Sequence, residues 1–185
     1  MILIRLVTIQ PYEVLDILNR RGRFVCDIRK STNSSYDEYS FRDAYDWLSS
    51  QMAERIGQPP AGVKYPIWAW YRNDDDFSDW GEAGRKYAII TLEIDPWRVV
   101  LSDYDDWNAV IGHYPIIHTA SEADFDAEWE RYMNAGTREI ERSWKRVFRS
   151  DGDYVQATFW ELFKEDVVSV RTFISTGYIP GSELG

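Results

Sequence analysis

The segment VQATFWEL, residues 155–162, constrains the fold more than any other part of the chain. In an extended backbone, neighbouring side chains point to opposite faces, so Val155, Ala157 and Phe159 share one face and Gln156, Thr158 and Trp160 the other. The first face is apolar and needs a core. The second presents an amide, a hydroxyl and an indole, which is neither a greasy face nor a charged one. Such a strand belongs to a sheet covered on one side; its other side is either a ligand cleft or a solvent face partly covered by the C-terminal segment.

YPIWAWYR, residues 65–72, poses the same alternative. Trp68, Trp70 and Arg72 project to one side, and Tyr65, Ile67, Ala69 and Tyr71 to the other. Two indoles and a guanidinium in line can sandwich a flat ring and grip a phosphate or carboxylate. Aromatics at strand spacing also fill cores, and Pro66 suggests an edge position for Trp68.

The remaining elements follow from periodicity and punctuation. Residues 2–10 read as a strand, with Ile4, Leu6 and Thr8 on one face. Pro11 opens a helix with an apolar stripe of Val14, Leu15, Ile17 and Leu18, and Gly22 stops it. A short strand spans 24–26, and a helix over 37–56 carries Phe41, Ala44, Tyr45, Leu48, Met52 and Ile56 before Gly57 ends it. The strand at 65–72 and a second at 86–94, joined by the hydrophilic NDDDFSDWGEAG, suggest a wide hairpin, with a further short strand at 99–101. Ser102 in SDYD and Ser121 in SEAD mark helix N-termini. The second leads into a long helix, or two helices broken near Gly136; strands at 154–163 and 167–173 close the chain.

This pattern is an α+β domain, and 185 residues suffice for one core that buries roughly two thirds of the unfolded surface, so 1–185 is read as a single domain. With one cysteine, Cys26, no disulfide can form within the chain; a reducing, cytoplasmic setting is expected, and Cys26 between apolar neighbours reads as buried rather than nucleophilic. The N-terminal segment has no basic leader and is broken by Arg5, Thr8 and Gln10, so neither signal peptide nor membrane span is expected.

A net charge of −10 opposes non-specific binding to nucleic acid. Two basic clusters stand against it, Arg20, Arg21 and Arg23, and Arg138 to Arg149, each readable as a solvated helix face or as a phosphate contact. Asp103, Asp105 and Asp106 suit the first turn of a helix, and Asp74, Asp75, Asp76 and Asp79 a solvated loop. Neither has the spacing of a calcium loop, and His113 and His118 lack a third ligand, so no metal is expected. A phosphate-binding glycine loop, a glycine-framed serine elbow and a paired-histidine protease helix are all missing.

LVTIQPYEVLDIL, GVKYPIWAWY, LEIDPWRVVLSDYDDWNAVI, IERSWKRVF and VQATFWELFKEDVVSVRTF together resemble an uncharacterised bacterial and phage domain-of-unknown-function family, over nearly the whole chain. More distantly, the layout is similar to ADP-ribosyltransferase folds: a first strand ending in a polar residue, a short helix closed by glycine, an aromatic strand in mid-chain and a late polar strand. That resemblance implies mixed or antiparallel sheets with flanking helices, and NAD as cofactor. In that superfamily a His or Arg, a Tyr or Ser and a Glu surround NAD; the counterparts here are Thr8, a residue of the 68–71 stretch, and Gln156. Thr8 offers no imidazole or guanidinium, and Gln156 offers an amide where a carboxylate would stabilise an oxocarbenium-like transition state.

The resemblance therefore implies a nucleotide-binding domain, catalytically degenerate or with its charge supplied elsewhere. Thr8 and Gln156 would sit at the reacting centre, Gln156 on a ribose hydroxyl. Trp68 and Trp160 would stack on the ring, Gln10 with Thr8 would orient the amide, and Trp70, Arg72, Asp103 and Asp106 would line the ligand, with Asp103, Asp106 or Glu161 replacing the missing carboxylate. If active, the domain would transfer ADP-ribose to a macromolecule. The alternative is a non-catalytic module of phage or mobile-element origin that meets a host protein through acidic and aromatic surface.

Overall fold

The computed structural model describes residues 2–27, 39–71, 77 and 79–177. They form an α+β unit around a six-stranded sheet in which every neighbouring pair is antiparallel. The strands are β1 (Ile4–Pro11), β3 (Ile67–Tyr71), β4 (Lys86–Ile94), β5 (Val100–Asp103), β6 (Val155–Phe159) and β8 (Val167–Ile174), in the order β5-β6-β3-β1-β4-β8. A two-stranded sheet pairs β2 (Arg23–Val25) with β7 (Glu161–Phe163). The helices are α1 (Glu13–Arg21), α2 (Tyr39–Ile56), α3 (Tyr104–Ile111), α4 (Glu122–Ala135) and α5 (Thr137–Ser143). No described helix is long and apolar enough to cross a membrane.

The alternation read from the sequence sorts the core. One face of the main sheet carries Leu6, Ile67, Ala69, Ile90, Leu92, Ala157 and Phe159, covered by Val14 and Leu18 of α1 and by Leu162 of β7. The opposite face is divided. Its β5-β6-β3 end lies under α2, α3 and the segment around Trp144, where Val100 and Trp68 meet Leu48, Trp107 and Val147. Its β1-β4 end packs Val7, Ile9, Tyr87 and Ile89 with Phe77, Trp70 and Phe173. Full burial of one large apolar side chain contributes about 1.5–3 kcal/mol, so these three clusters supply most of the driving force.

Several expectations shift in the folded molecule. β1 runs through Pro11, and α1 begins two residues later, ending at Gly22, whose φ of 71° a side chain would strain. The hairpin of 65–72 with 86–94 does not form, because β1 lies between β3 and β4 and satisfies the ladders of both. β3 is therefore interior, and Pro66, the residue that suggested an edge, is buried beside it. The closing strand 154–163 is two strands: β6 ends at Phe159, and after a bend at Trp160 the chain enters the small sheet as β7. Of the two readings for this region, one long helix or two broken near Gly136, the chain takes the second, with α4 and α5 meeting at Gly136.

Candidate functional site

The face of the sheet under α3 carries Val100 and Ser102 on β5, Gln156 and Thr158 on β6, and Trp68 and Trp70 on β3. Register places them in two rows. Ser102 pairs with Gln156, which pairs with Trp70; Val100 pairs with Thr158, which pairs with Trp68. Aromatic side chains surround the rows. The Tyr104 ring lies 5.5 Å from that of Trp70, and Trp68 meets Trp107 at 5.1 Å and Tyr45 at 5.9 Å.

Three buried polar atoms in this patch have no hydrogen-bond partner: Trp68 Nε1, Ser102 Oγ and Gln156 Oε1. Leaving such a group unpaired costs about 1–3 kcal/mol, and native folds rarely leave several side by side. Their chemistry is complementary: the indole donates, the amide oxygen accepts and the hydroxyl does either. Thr158, in the same patch, is by contrast satisfied through Val100 O at 3.4 Å.

Ser102 was expected to cap α3, but the cap is its neighbour. Asp103 Oδ1 accepts from Asp105 N and Asp106 N, both at 3.0 Å, and Ser102 remains in β5. The reason is alternation: Val100 and Ser102 face the helices, so the chain turns only after Asp103. Sequence reasoning missed Ser102, Tyr104 and Trp107 as wall residues. The signal was present in DYDD, where Asp103 and Asp106 form the same cap spacing one position later.

The remaining candidate residues are dispersed. Thr8 pairs with Ile90, on the face opposite Trp68 and Gln156, so the sheet itself separates it from them. Thr8 is 1% exposed; it donates to Trp68 O at 2.7 Å and accepts from Gln10 Nε2 at 2.8 Å. The single cleft imagined for Thr8, Gln10, Trp68 and Gln156 is thus not formed. Trp160 lies on the expected side but is 7% exposed, and its Nε1 donates to Gly57 O at 2.9 Å, which makes it a core residue that ties β6 to the end of α2. Arg72 lies outside the described residues.

The carboxylates proposed to replace the missing glutamate have other partners. Asp103 caps α3. Both oxygens of Asp106 lie 3.0 Å from His118 Nε2. Glu161 lies in the small sheet and pairs with Arg23 at 2.8 Å. Next to Asp106 and His118, Arg149 pairs with Asp151 at 2.7 Å and holds its carboxyl below the usual value. His118 and Arg149 line a broad hollow of about 710 Å³ that reaches to Glu122 and Phe125. Among the described residues, no group of three or more His, Cys, Asp or Glu side chains could hold a metal ion. Cys26 packs against the core, and burial, then the nearby Asp27, pushes its thiol pKa up, away from nucleophilic character.

A family model described as "Domain of unknown function (DUF3841)" matches residues 5–168. The chain belongs to this family. The matched region of the DUF3841 domain runs from β1 into the start of β8, and so contains all three unpaired polar atoms. No curated protein and no solved structure matches the chain. Whatever is said of activity in this DUF3841 protein therefore rests on its own side chains.

Proposed function

We propose that this domain binds a flat, uncharged, hydrogen-bonding group, the base or carboxamide-bearing ring of a nucleotide such as NAD, on the wall formed by Ser102, Gln156 and Trp68. The observation that carries this reading is that three unpaired buried atoms belong to residues in neighbouring rows of one sheet face: two donors, the indole N–H and a hydroxyl, and one amide acceptor. A carboxamide or a base edge offers the matching acceptor and donor, and Trp70 with Tyr104 gives a ring something to stack against. The donor set is neutral, which suits a neutral ring and gives a phosphate nothing to pair with.

The wall lacks a carboxylate, and Asp103, Asp106 and Glu161 are engaged elsewhere, so the reading favours binding over transfer of ADP-ribose. The chain resembles the transferase layout only in part, as a binding domain without the charge that group transfer needs.

Calorimetric titration with NAD, nicotinamide and adenosine tests this. At least one should bind, and Gln156→Leu should weaken it about tenfold or more, the loss of one good hydrogen bond in a dry site. No heat with any of the three at millimolar concentration, or equal affinity in the variant, would remove the proposal.

A further inference from the structure

A second cleft lies along the outer edge of β5, beside Val100 and Leu101. Its volume is about 340 Å³, and it is lined by Arg55 at the end of α2, by Trp97, and by Phe148 and Arg149 beyond α5. Pockets that hold small ligands begin at about this size.

Three features set it apart from ordinary surface. Trp97 is 85% exposed, an unusual position for the largest apolar side chain. The backbone that carries it is pinned: its turn, Pro96–Arg98, starts at Pro96, Trp97 N donates to Asp95 Oδ1 at 3.0 Å, and the adjacent Arg98 is locked onto Asp166. Across the cleft, the Arg55 guanidinium lies 3.8 Å over the Phe148 ring, which is itself stacked on Trp47. This layering orients Arg55 and uses none of its N–H donors, and no described carboxylate pairs with it. Arg149 adds a second guanidinium, its charge shared with Asp151.

An oriented guanidinium without a described anion, on a chain of net charge −10, sharing a cleft with an exposed indole on a pinned turn, has a definite complement. We infer that this cleft binds a planar aromatic anion, its ring stacked on Trp97 and its phosphate or carboxylate held by Arg55, with Arg149 beside it. Two acceptor oxygens on one acid group match the fork of a guanidinium, and a ring of one or two cycles fits the volume. The inference is independent of the site at Ser102 and Gln156, which has no cation.

The test is titration of the full chain with phenyl phosphate, AMP, benzoate, inorganic phosphate and adenosine, followed by calorimetry and tryptophan fluorescence. Binding of phenyl phosphate, or of AMP in a way that Arg55→Gln weakens, supports a phosphate ester, and binding of benzoate alone supports a carboxylate; adenosine and inorganic phosphate, each half of the complement, should bind more weakly at this cleft. Arg55→Gln and Trp97→Ala should each weaken the aromatic anion about tenfold or more, while both leave adenosine binding at the Ser102 and Gln156 wall unchanged. Both side chains lie outside the core, so the melting temperature of each variant should stay near that of the parent, which separates lost binding from lost folding. The inference fails if none of the three aromatic anions binds at millimolar concentration. It also fails if Arg55→Gln and Trp97→Ala both bind like the parent.

Discussion

At the scale of single residues, the unpaired atoms give the sharpest tests. Ser102→Ala removes a buried hydroxyl without a partner, so the variant should be more stable than the parent by about 0.5–1.5 kcal/mol in chemical denaturation, while binding at the wall declines. A loss of stability instead would mean that an ordered water pairs with the hydroxyl. Asp103 is the opposite case. Its Oδ1 caps α3, so Asp103→Ala should cost about 0.5–2 kcal/mol. Its Oδ2 lies where a side chain on Gly152 would go, so Gly152→Ala should also destabilise, and the double variant should lose less than the sum of the two, as sites in contact do. Asp46 is a third test. Burial alone would raise its pKa, but hydrogen bonds from Lys64 and Tyr65 hold the carboxyl below the ordinary 3.8. A depressed folded-state value means that the unfolded chain binds more protons, so this contribution is present above pH 3.8 and is lost as the pH falls below it. Asp46→Asn should flatten the acid limb of a stability curve measured between neutral pH and that range.

At the scale of elements, Arg98 joins the small sheet to the large one. Its guanidinium grips both oxygens of Asp166 at 2.7 and 2.9 Å and reaches Glu161 O at 3.1 Å, while Asp166 also accepts from Phe163 N. Lysine cannot reproduce that fork, so Arg98→Lys should destabilise by about 1–3 kcal/mol, read by thermal unfolding. This tie crosses 68 residues of sequence, and nothing in DPWRVV announces it. The elements themselves were largely legible: periodicity marks α1, α2 and α4, and glycines at 22, 57 and 136 stop helices where a positive φ is needed. Strand partners were not. A hydrophobic pattern says which side chains of 65–72 share a face but not that β1 will come between it and β4, because pairing is decided by whichever ladder completes the sheet.

At the scale of the whole molecule, the sheet has a protected centre and two open ends. β1 and β4 are paired on both sides, whereas β8 pairs only with β4 among the described strands and is exposed along most of its length. Hydrogen exchange should accordingly be slowest in β1 and β4, with fast amides along β8.

The sequence by itself determined the class, one α+β domain, and which side chains of a strand share a face, because alternation is a local property of extended backbone. It also placed Gln156 with Thr158 on one face of their strand and Trp68 with Trp70 on one face of theirs. Only the tertiary structure decided that Thr8 and Gln10 lie behind the sheet, that Trp160 is core, and that Ser102 joins Gln156 across two strands. Those outcomes depend on register and on which element covers which face, and both are set by contacts between residues far apart in the chain, which no local pattern records.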